Sequence, residues 1–157
     1  MAQIAKQESQ LDIKSSAESF YQTYSRKQYL LPKISCDVVK DLQLVIGDWE
    51  SVAGSVMEWT FVAADNSSSQ VDKVVIEAID DKNKSITCKI VEGQILKEYK
   101  SYKFTVQATD KSDGEGSTVK LTIEYEKKNE DTPPPNKYFN FAHVLFKNID
   151  AYLVNNA

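Results

Sequence analysis

The residue types that carry out acid–base, nucleophilic and metal chemistry are scarce in this sequence. Its 157 residues include one histidine, His143, and two cysteines, Cys36 and Cys88, that do not form a CxxC pair. A site with two histidine ligands therefore cannot be built, and we expect neither a metal nor a cofactor. His143 flanks the apolar stripe of a predicted helix, which is typical of a satisfied or partly exposed histidine rather than of a proton-transfer group.

Aromatic residues with a polar tip offer a different kind of chemistry. The chain has eight tyrosines and two tryptophans, and Trp59, Tyr102 and Tyr138 fall on predicted apolar faces. Each combines an apolar body with one hydrogen-bonding group, which suits the orientation of an amphiphilic ligand. These three residues are the first candidates for a binding site.

The charge of the chain argues against nucleic acid as a partner. Its 19 basic and 23 acidic residues leave a net charge of −4, and Arg26 is the sole arginine. Phosphate backbones are bound by dense cationic surfaces, and a phosphate clamp of several arginines is excluded. No apolar run approaches the roughly 18 residues that a membrane-spanning helix needs, and the first residues lack the pattern of a secretion signal. We therefore expect a cytoplasmic protein with thiol cysteines and no membrane span.

The elements that would position these residues are an antiparallel sheet and a long final helix. Alternation at residues 10–14 indicates the end of a strand, and Ser15 with Ser16 predicts the start of a helix. Residues 29–34 indicate a second short helix or a packed turn. Short turns separate the later strands, so the sheet is predicted to be antiparallel. The strands are predicted at 39–46, 55–63, 71–79, 85–91, 96–108 and 118–126, and the helix at 137–154.

One domain of residues 1–157 is predicted, with the apolar face of each strand and of the final helix turned inward. Period-two alternation on the strands and helical spacing after three prolines select the inward residues. By pattern alone, these residues fill a core. They are Met57, Trp59, Phe61, Ile86, Cys88, Ile90, Tyr102 and Phe104 on the strands, and Tyr138, Phe141, Ala142 and Leu145 on the final helix.

The order and spacing of a series of short motifs resemble those of a known family. The motifs are SSAESFY at 15–21, IGDW at 46–49, VMEW at 56–59, KSIT at 84–87, VEG at 91–93, LKEYKSY at 96–102, IEYEK at 123–127, NED at 129–131, PNKY at 135–138 and IDAYL at 149–153. Over nearly its whole length, the chain resembles the plant major latex protein branch of the Bet v I-type superfamily, which includes the birch pollen allergen and pathogenesis-related class ten proteins.

The resemblance implies an α+β helix-grip (START-like) fold. In this family, a seven-stranded curved antiparallel sheet wraps around a long C-terminal helix, and two short helices close one end. A large internal hydrophobic cavity lies between the sheet and the helix. In relatives, positions equivalent to the inward residues named above line that cavity. The resemblance therefore changes their expected role from core packing to ligand binding.

The function that the resemblance implies is binding of a hydrophobic small molecule, such as a steroid, a flavonoid or a hormone-like plant metabolite. The protein would be a carrier, store or sensor, acting in defence or stress response as a monomer or weak dimer.

An enzyme is the alternative, namely an isomerase or cyclase of alkaloid metabolism that uses the same cavity. The family's condensing synthases use a cavity lysine and carboxylate partners. The lysine position and one carboxylate position fall at Ile86 and Tyr102 here, so no catalytic residue is assigned. A ribonuclease, an activity attributed to relatives, is disfavoured by the acidic charge, the single histidine and the single arginine.

Overall fold

The computed structural model describes residues 4–50, 53–63 and 68–156. Their secondary structure begins with a strand, continues through short helices and six further strands, and ends in a long helix. The elements are β1 (Ala5–Ile13), α1 (Ala17–Arg26), a 3₁₀ turn (Gln28–Leu30), α2 (Leu31–Ile34), β2 (Val39–Ile46), β3 (Val56–Phe61), β4 (Gln70–Asp80), β5 (Ser85–Gly93), α3 (Ile95–Glu98), β6 (Tyr99–Asp110), β7 (Ser117–Lys127) and α4 (Asn136–Asn155).

The seven strands form one antiparallel sheet in the order β1-β7-β6-β5-β4-β3-β2. Register shifts interrupt the β2–β3, β4–β5 and β6–β7 pairings. Irregularities of this kind bend a strand and increase its twist, and the sheet curves around α4. The predicted helix-grip fold is therefore confirmed.

The concave face of the sheet is apolar because side chains alternate between the two faces of a strand. On β7, Val119, Leu121, Ile123 and Tyr125 are buried, whereas the residues between them are partly exposed. The helix α4 packs against this face with an apolar stripe whose residues recur at helical spacing. Its buried residues are Tyr138, Ala142, Leu145, Phe146 and Ile149.

The helix α1 begins at the predicted serine pair and closes one end of the core. The Ser16 hydroxyl caps the helix by accepting a hydrogen bond from the backbone N–H of Ser19 at 3.1 Å, which satisfies one of the free amides of the first turn. On its inner side, the Phe20 and Tyr24 rings lie 5.4 and 5.8 Å from the ring of Phe146 on α4. An aromatic cluster therefore joins the two helices.

Polar side chains on the outer side of α4 tie the helix to four other parts of the fold. The longest-range bonds belong to Asp150, whose carboxylate accepts hydrogen bonds from the backbone of residues 14 and 15 just after β1. The other links are His143 to Ser9, Asn148 to Ser35 and Lys137 to Glu98. In the part of the chain that the structure describes, no helix has both the length and the apolar character needed to cross a membrane.

The prediction of one strand over residues 96–108 is wrong at its start. Residues 95–98 form the short helix α3, and β6 begins only at Tyr99. The reason lies in the preceding turn, where Gly93 has a φ of +130° and the Asp72 carboxylate accepts a hydrogen bond from the backbone N–H of Ile95. A contact with a neighbouring strand therefore determines this local structure, and the pattern of residues 96–98 alone does not show it.

Candidate functional site

An apolar cavity of about 70 Å³ lies between the concave face of the sheet and α4. Helix α1 and the short helix α3 contribute one lining residue each, and the others come from strands and α4. The lining consists of Tyr24, Trp59, Phe61, Asp72, Val74, Ile90, Ile95, Tyr102, Phe104, Leu121, Ile123, Tyr138, Phe141, Ala142, Leu145 and Phe146.

Most residues predicted for the site lie together around this cavity. They are Trp59, Phe61, Ile90, Tyr102, Phe104, Tyr138, Phe141, Ala142 and Leu145. Three other predicted residues, Met57, Ile86 and Cys88, are buried in the core but do not line the cavity.

Ile86 and Cys88 lie nearer the start of β5 than the lining residue Ile90, at the end of the sheet that α1 approaches. The Tyr21 hydroxyl of α1 donates a hydrogen bond at 2.7 Å to Asp81, in the turn before β5. Helix α1 therefore covers the end of the sheet at which β5 begins. Ile86 and Cys88, nearer that end of the strand, are buried in the core, and Ile90, farther along, lines the cavity.

The sequence interpretation did not include several lining residues among its candidates. Leu121 and Ile123 follow the alternation of β7, and Tyr24 and Phe146 follow helical spacing, so periodicity could have selected all four. Asp72 is different, since it stands between Val71 and Lys73 and has no apolar character. Its place in the cavity could not be read from any local pattern.

Aromatic rings fill much of the space between the sheet and α4. The rings of Phe61 and Phe141 are 4.7 Å apart, and those of Tyr102 and Tyr138 are 5.6 Å apart. Pockets that hold drug-sized ligands usually measure about 300–1,000 Å³, so this cavity is narrow by comparison. A larger ligand must move side chains, and Phe104 and Phe141, the two lining residues that are only partly buried, have the most room to do so.

Asp72 places a carboxylate at the wall of this apolar cavity. It is 1% exposed. Its Oδ1 accepts the Ile95 backbone N–H at 2.9 Å, and its Oδ2 accepts Gln70 Nε2 at 2.9 Å. The backbone N–H of Gln94, next along the chain, donates instead to the Val71 carbonyl at 3.3 Å. Burial raises the pKa of Asp72, and the hydrogen bonds from Gln70 and Ile95 oppose that rise because they favour the ionised form.

Two tyrosine hydroxyls lie near this carboxylate. The Tyr138 hydroxyl accepts a hydrogen bond from Gln70 Nε2 at 3.2 Å, so Gln70 links Tyr138 to Asp72. Burial raises the pKa of Tyr102, and the nearby Tyr138, Tyr99 and Asp72 raise it further. Among the described residues, the Tyr102 hydroxyl has no hydrogen-bond partner. We call Asp72, Tyr102 and Tyr138 the polar end of the cavity.

His143 and Cys88 lie outside the lining and are held in structural settings. His143 Nε2 is 2.5 Å from Ser9 Oγ on β1, and burial together with the neighbouring Lys147 lowers the pKa of the imidazole. Burial, with a smaller contribution from Glu77, raises the pKa of Cys88 to about 12. A thiol with such a pKa is unreactive at neutral pH.

The cavity therefore offers apolar contact over most of its surface and hydrogen bonding at one end. Among the lining residues that the structure describes, Asp72 is the sole charged one, and there is no lysine, arginine or histidine. The described residues also contain no group of three or more histidine, cysteine, aspartate or glutamate side chains that could hold a metal ion. Such a site can enclose an apolar molecule and orient one polar group.

Comparison with known proteins places the chain in a family. The model of the pathogenesis-related protein Bet v 1 family matches residues 2–156. MLP-like protein 34 of Arabidopsis thaliana is 37% identical over 147 residues, which are 94% of this chain and 46% of that protein. The chain thus spans about half the length of that relative. MLP-like protein 31 of the same plant is 34% identical, with 96% of this chain and 86% of the relative covered.

A solved structure shows the same likeness at the level of the backbone. Ginseng major latex-like protein 151 from Panax ginseng has a TM-score of 0.87 and 30% identity, with 95% of this chain and 97% of that chain covered. The chain belongs to the Bet v 1 family, in its major latex protein branch.

Proposed function

We propose that the protein binds a hydrophobic small molecule, of the kind that plants make as specialised metabolites, in the cavity between the sheet and α4. It would act as a carrier, store or sensor. The observation that carries this proposal is the apolar lining with a polar end on one wall. Burial of ligand surface stabilises the complex by about 25 cal/mol per Å² of apolar area, before the costs of ordering the ligand and the lining side chains.

The lining supports binding more than catalysis. A Schiff-base or general-acid centre of the kind that the condensing synthases use needs a desolvated lysine. Among the described residues, no lysine lines the cavity. Ile86, to which the family resemblance assigns the lysine position of the condensing synthases, lies in the core outside the lining. Burial also raises the pKa values of the cavity tyrosines Tyr102 and Tyr138, so these hydroxyls stay protonated and serve as hydrogen-bonding groups at neutral pH.

The test is to fill the cavity and measure binding. Ala142 is buried in the lining of α4, and in Ala142→Trp the indole would occupy the space that a ligand needs. With 1-naphthalenemethanol as the probe, we expect calorimetry to show binding at least about tenfold weaker than in the wild type. A matched control is Val144→Trp, because Val144 lies on the exposed side of the same helix. The control should bind like the wild type.

A second variant keeps the test informative if Ala142→Trp is too destabilised, since an overpacked core costs about 1–3 kcal/mol. Phe141→Ala removes the ring that packs 4.7 Å from Phe61 and enlarges the cavity, so affinity should change in this variant as well. His143→Ala should leave affinity unchanged because His143 does not line the cavity. Equal affinity in all cavity variants, or loss of binding in His143→Ala alone, would contradict the proposed site.

A further inference from the structure

We propose that the cavity selects hydrophobes whose polar group is an alcohol or an amine and rejects those that end in a carboxylate. This inference rests on the proposed function and names the chemical class of its ligand. Its basis is the polar end of the cavity, formed by Asp72, Tyr102 and Tyr138.

The first argument is charge. Asp72 is the one charged residue of the lining among the described residues, and it is 1% exposed. No lining cation among the described residues offsets it. Because water and salt screen buried charges poorly, an anionic ligand beside Asp72 would be repelled more strongly than at the surface. A neutral ligand avoids this repulsion, and a cationic ligand is attracted.

The second argument is the acceptor capacity of Asp72. A carboxylate offers about four acceptor positions. The backbone N–H of Ile95 occupies one position on Oδ1, and the side-chain amide of Gln70 occupies one position on Oδ2. These donors hold the carboxylate in place and require acceptors on both of its oxygens, which the ionised form provides. Each oxygen keeps one position for a hydrogen-bond donor on the ligand.

The third argument is the state of the two hydroxyls. The Gln70 amide group has two protons, and it directs one to Asp72 and the other to the Tyr138 hydroxyl. The Tyr138 hydroxyl acts as an acceptor in that bond, so its own proton is available to the ligand. The Tyr102 side chain is 3% exposed, and its hydroxyl has no partner among the described residues. The polar end therefore accepts at one point and donates at others, which matches an alcohol.

A purely structural role for Asp72 explains only part of this arrangement. Its bond to Ile95 does fix the turn between β5 and α3. That role does not require the residue to line the cavity, and it does not explain why the Tyr102 hydroxyl has no partner among the described residues. A ligand that hydrogen-bonds to both groups accounts for both observations.

The experiment compares three probes that share one ring and differ in the polar group. They are 1-naphthalenemethanol, 1-naphthylmethylamine and 1-naphthoic acid, measured by calorimetry against the full chain at pH 7. We expect the wild type to bind the alcohol and the amine about 10- to 100-fold more tightly than the acid. In Asp72→Asn, which keeps the size of the side chain and an acceptor for Ile95, this preference should fall at least about tenfold.

A surface variant with the same change of charge serves as the control. Asp131 is exposed, so Asp131→Asn should keep the wild-type preference. If Asp72→Asn does not fold, the test rests on the ratio of alcohol to acid affinity in the wild type and on Tyr102→Phe. Tyr102→Phe should bind the alcohol several-fold more weakly than the wild type and still reject the acid.

The outcomes separate this inference from the function on which it rests. If the wild type binds the alcohol and the acid equally well, the selectivity is wrong and the cavity is still a binding site. If the preference survives in Asp72→Asn, the carboxylate does not determine it, and the inference is overturned. If none of the three probes binds, both the inference and the proposed function fail.

Discussion

At the scale of the residue, His143 connects the final helix α4 to strand β1 and makes stability depend on pH. Its ring is 2.5 Å from the Ser9 hydroxyl, and burial together with Lys147 lowers its pKa. The pKa of an unperturbed histidine is about 6.5. As the pH falls below that value, the unfolded chain takes up a proton more readily than the folded one, so this residue makes stability decrease toward acid pH.

Replacing the histidine should remove that contribution. His143→Gln retains a group that can hydrogen-bond to Ser9 and has no titration between pH 5 and 7. We expect the difference in the free energy of unfolding between pH 7 and pH 5, measured in urea, to be smaller in the variant than in the wild type. An identical pH dependence in the two proteins would show that the folded and unfolded states bind protons equally at this residue.

The two cysteines should differ in reactivity. Cys88 is buried, and its pKa is raised to about 12, whereas Cys36 is exposed. We expect one thiol to react quickly with a disulfide reagent in the native protein and the second to react only in denaturant. In Cys36→Ser, the native protein should show no fast reaction. A fast reaction in that variant would mean that Cys88 is accessible, in conflict with its burial in the core.

Residue by residue, the sequence predicts the apolar part of the cavity better than its polar end. Trp59, Tyr102 and Phe141 could be predicted because strand and helix periodicity determines which way each side chain points. Asp72 could not, since its partner Ile95 is brought to it by strand pairing. A buried charge is recognised only when its tertiary contacts are known.

At the scale of the element, the turn between β5 and α3 shows how closely two chain segments approach. Gly93 pairs with Asp72 across the strands and has a φ of +130°. A Cβ at this position would collide with the Asp72 side chain and the Val71 carbonyl. The conformation is one that residues other than glycine avoid.

Gly93→Ala should therefore lower the free energy of unfolding in urea by about 2 kcal/mol or more. Gly114→Ala is the matched control, because Gly114 also has a positive φ, +79°, but a Cβ there meets open space. That control should cost only about 1 kcal/mol, the backbone term alone. Equal losses in the two variants would mean that the close approach to Asp72 adds nothing.

Two elements show where prediction from sequence stops. Residues 5–9 of β1 are mostly polar, so only the end of that strand was visible in the pattern, and its pairing with β7 over Ala5–Ile13 is a tertiary effect. Residues 96–98 resemble the start of a strand, but Asp72 and Gly93 turn them into part of α3. The long helix α4 was predicted within one residue at each end because its apolar spacing is strong and prolines precede it.

At the scale of the whole molecule, the fold holds α4 firmly and leaves its inner face available. Bonds to β1, to the segment after β1, to Ser35 at the end of α2 and to α3 fix the helix along its length. A ligand should therefore enter by moving side chains that face the cavity, such as Phe141, rather than by displacing α4. The polar bonds that hold α4 in place are therefore distinct from the side chains that move when a ligand enters.

The most direct test of ligand binding is native mass spectrometry of the wild type and of Ala142→Trp after incubation with a methanol extract of plant tissue. We predict that the wild type carries a small molecule in a one-to-one complex, that the molecule is released chemically unchanged, and that Ala142→Trp lacks it. A wild type without any bound molecule, or the same adduct on both proteins, would contradict binding in the cavity between the sheet and α4.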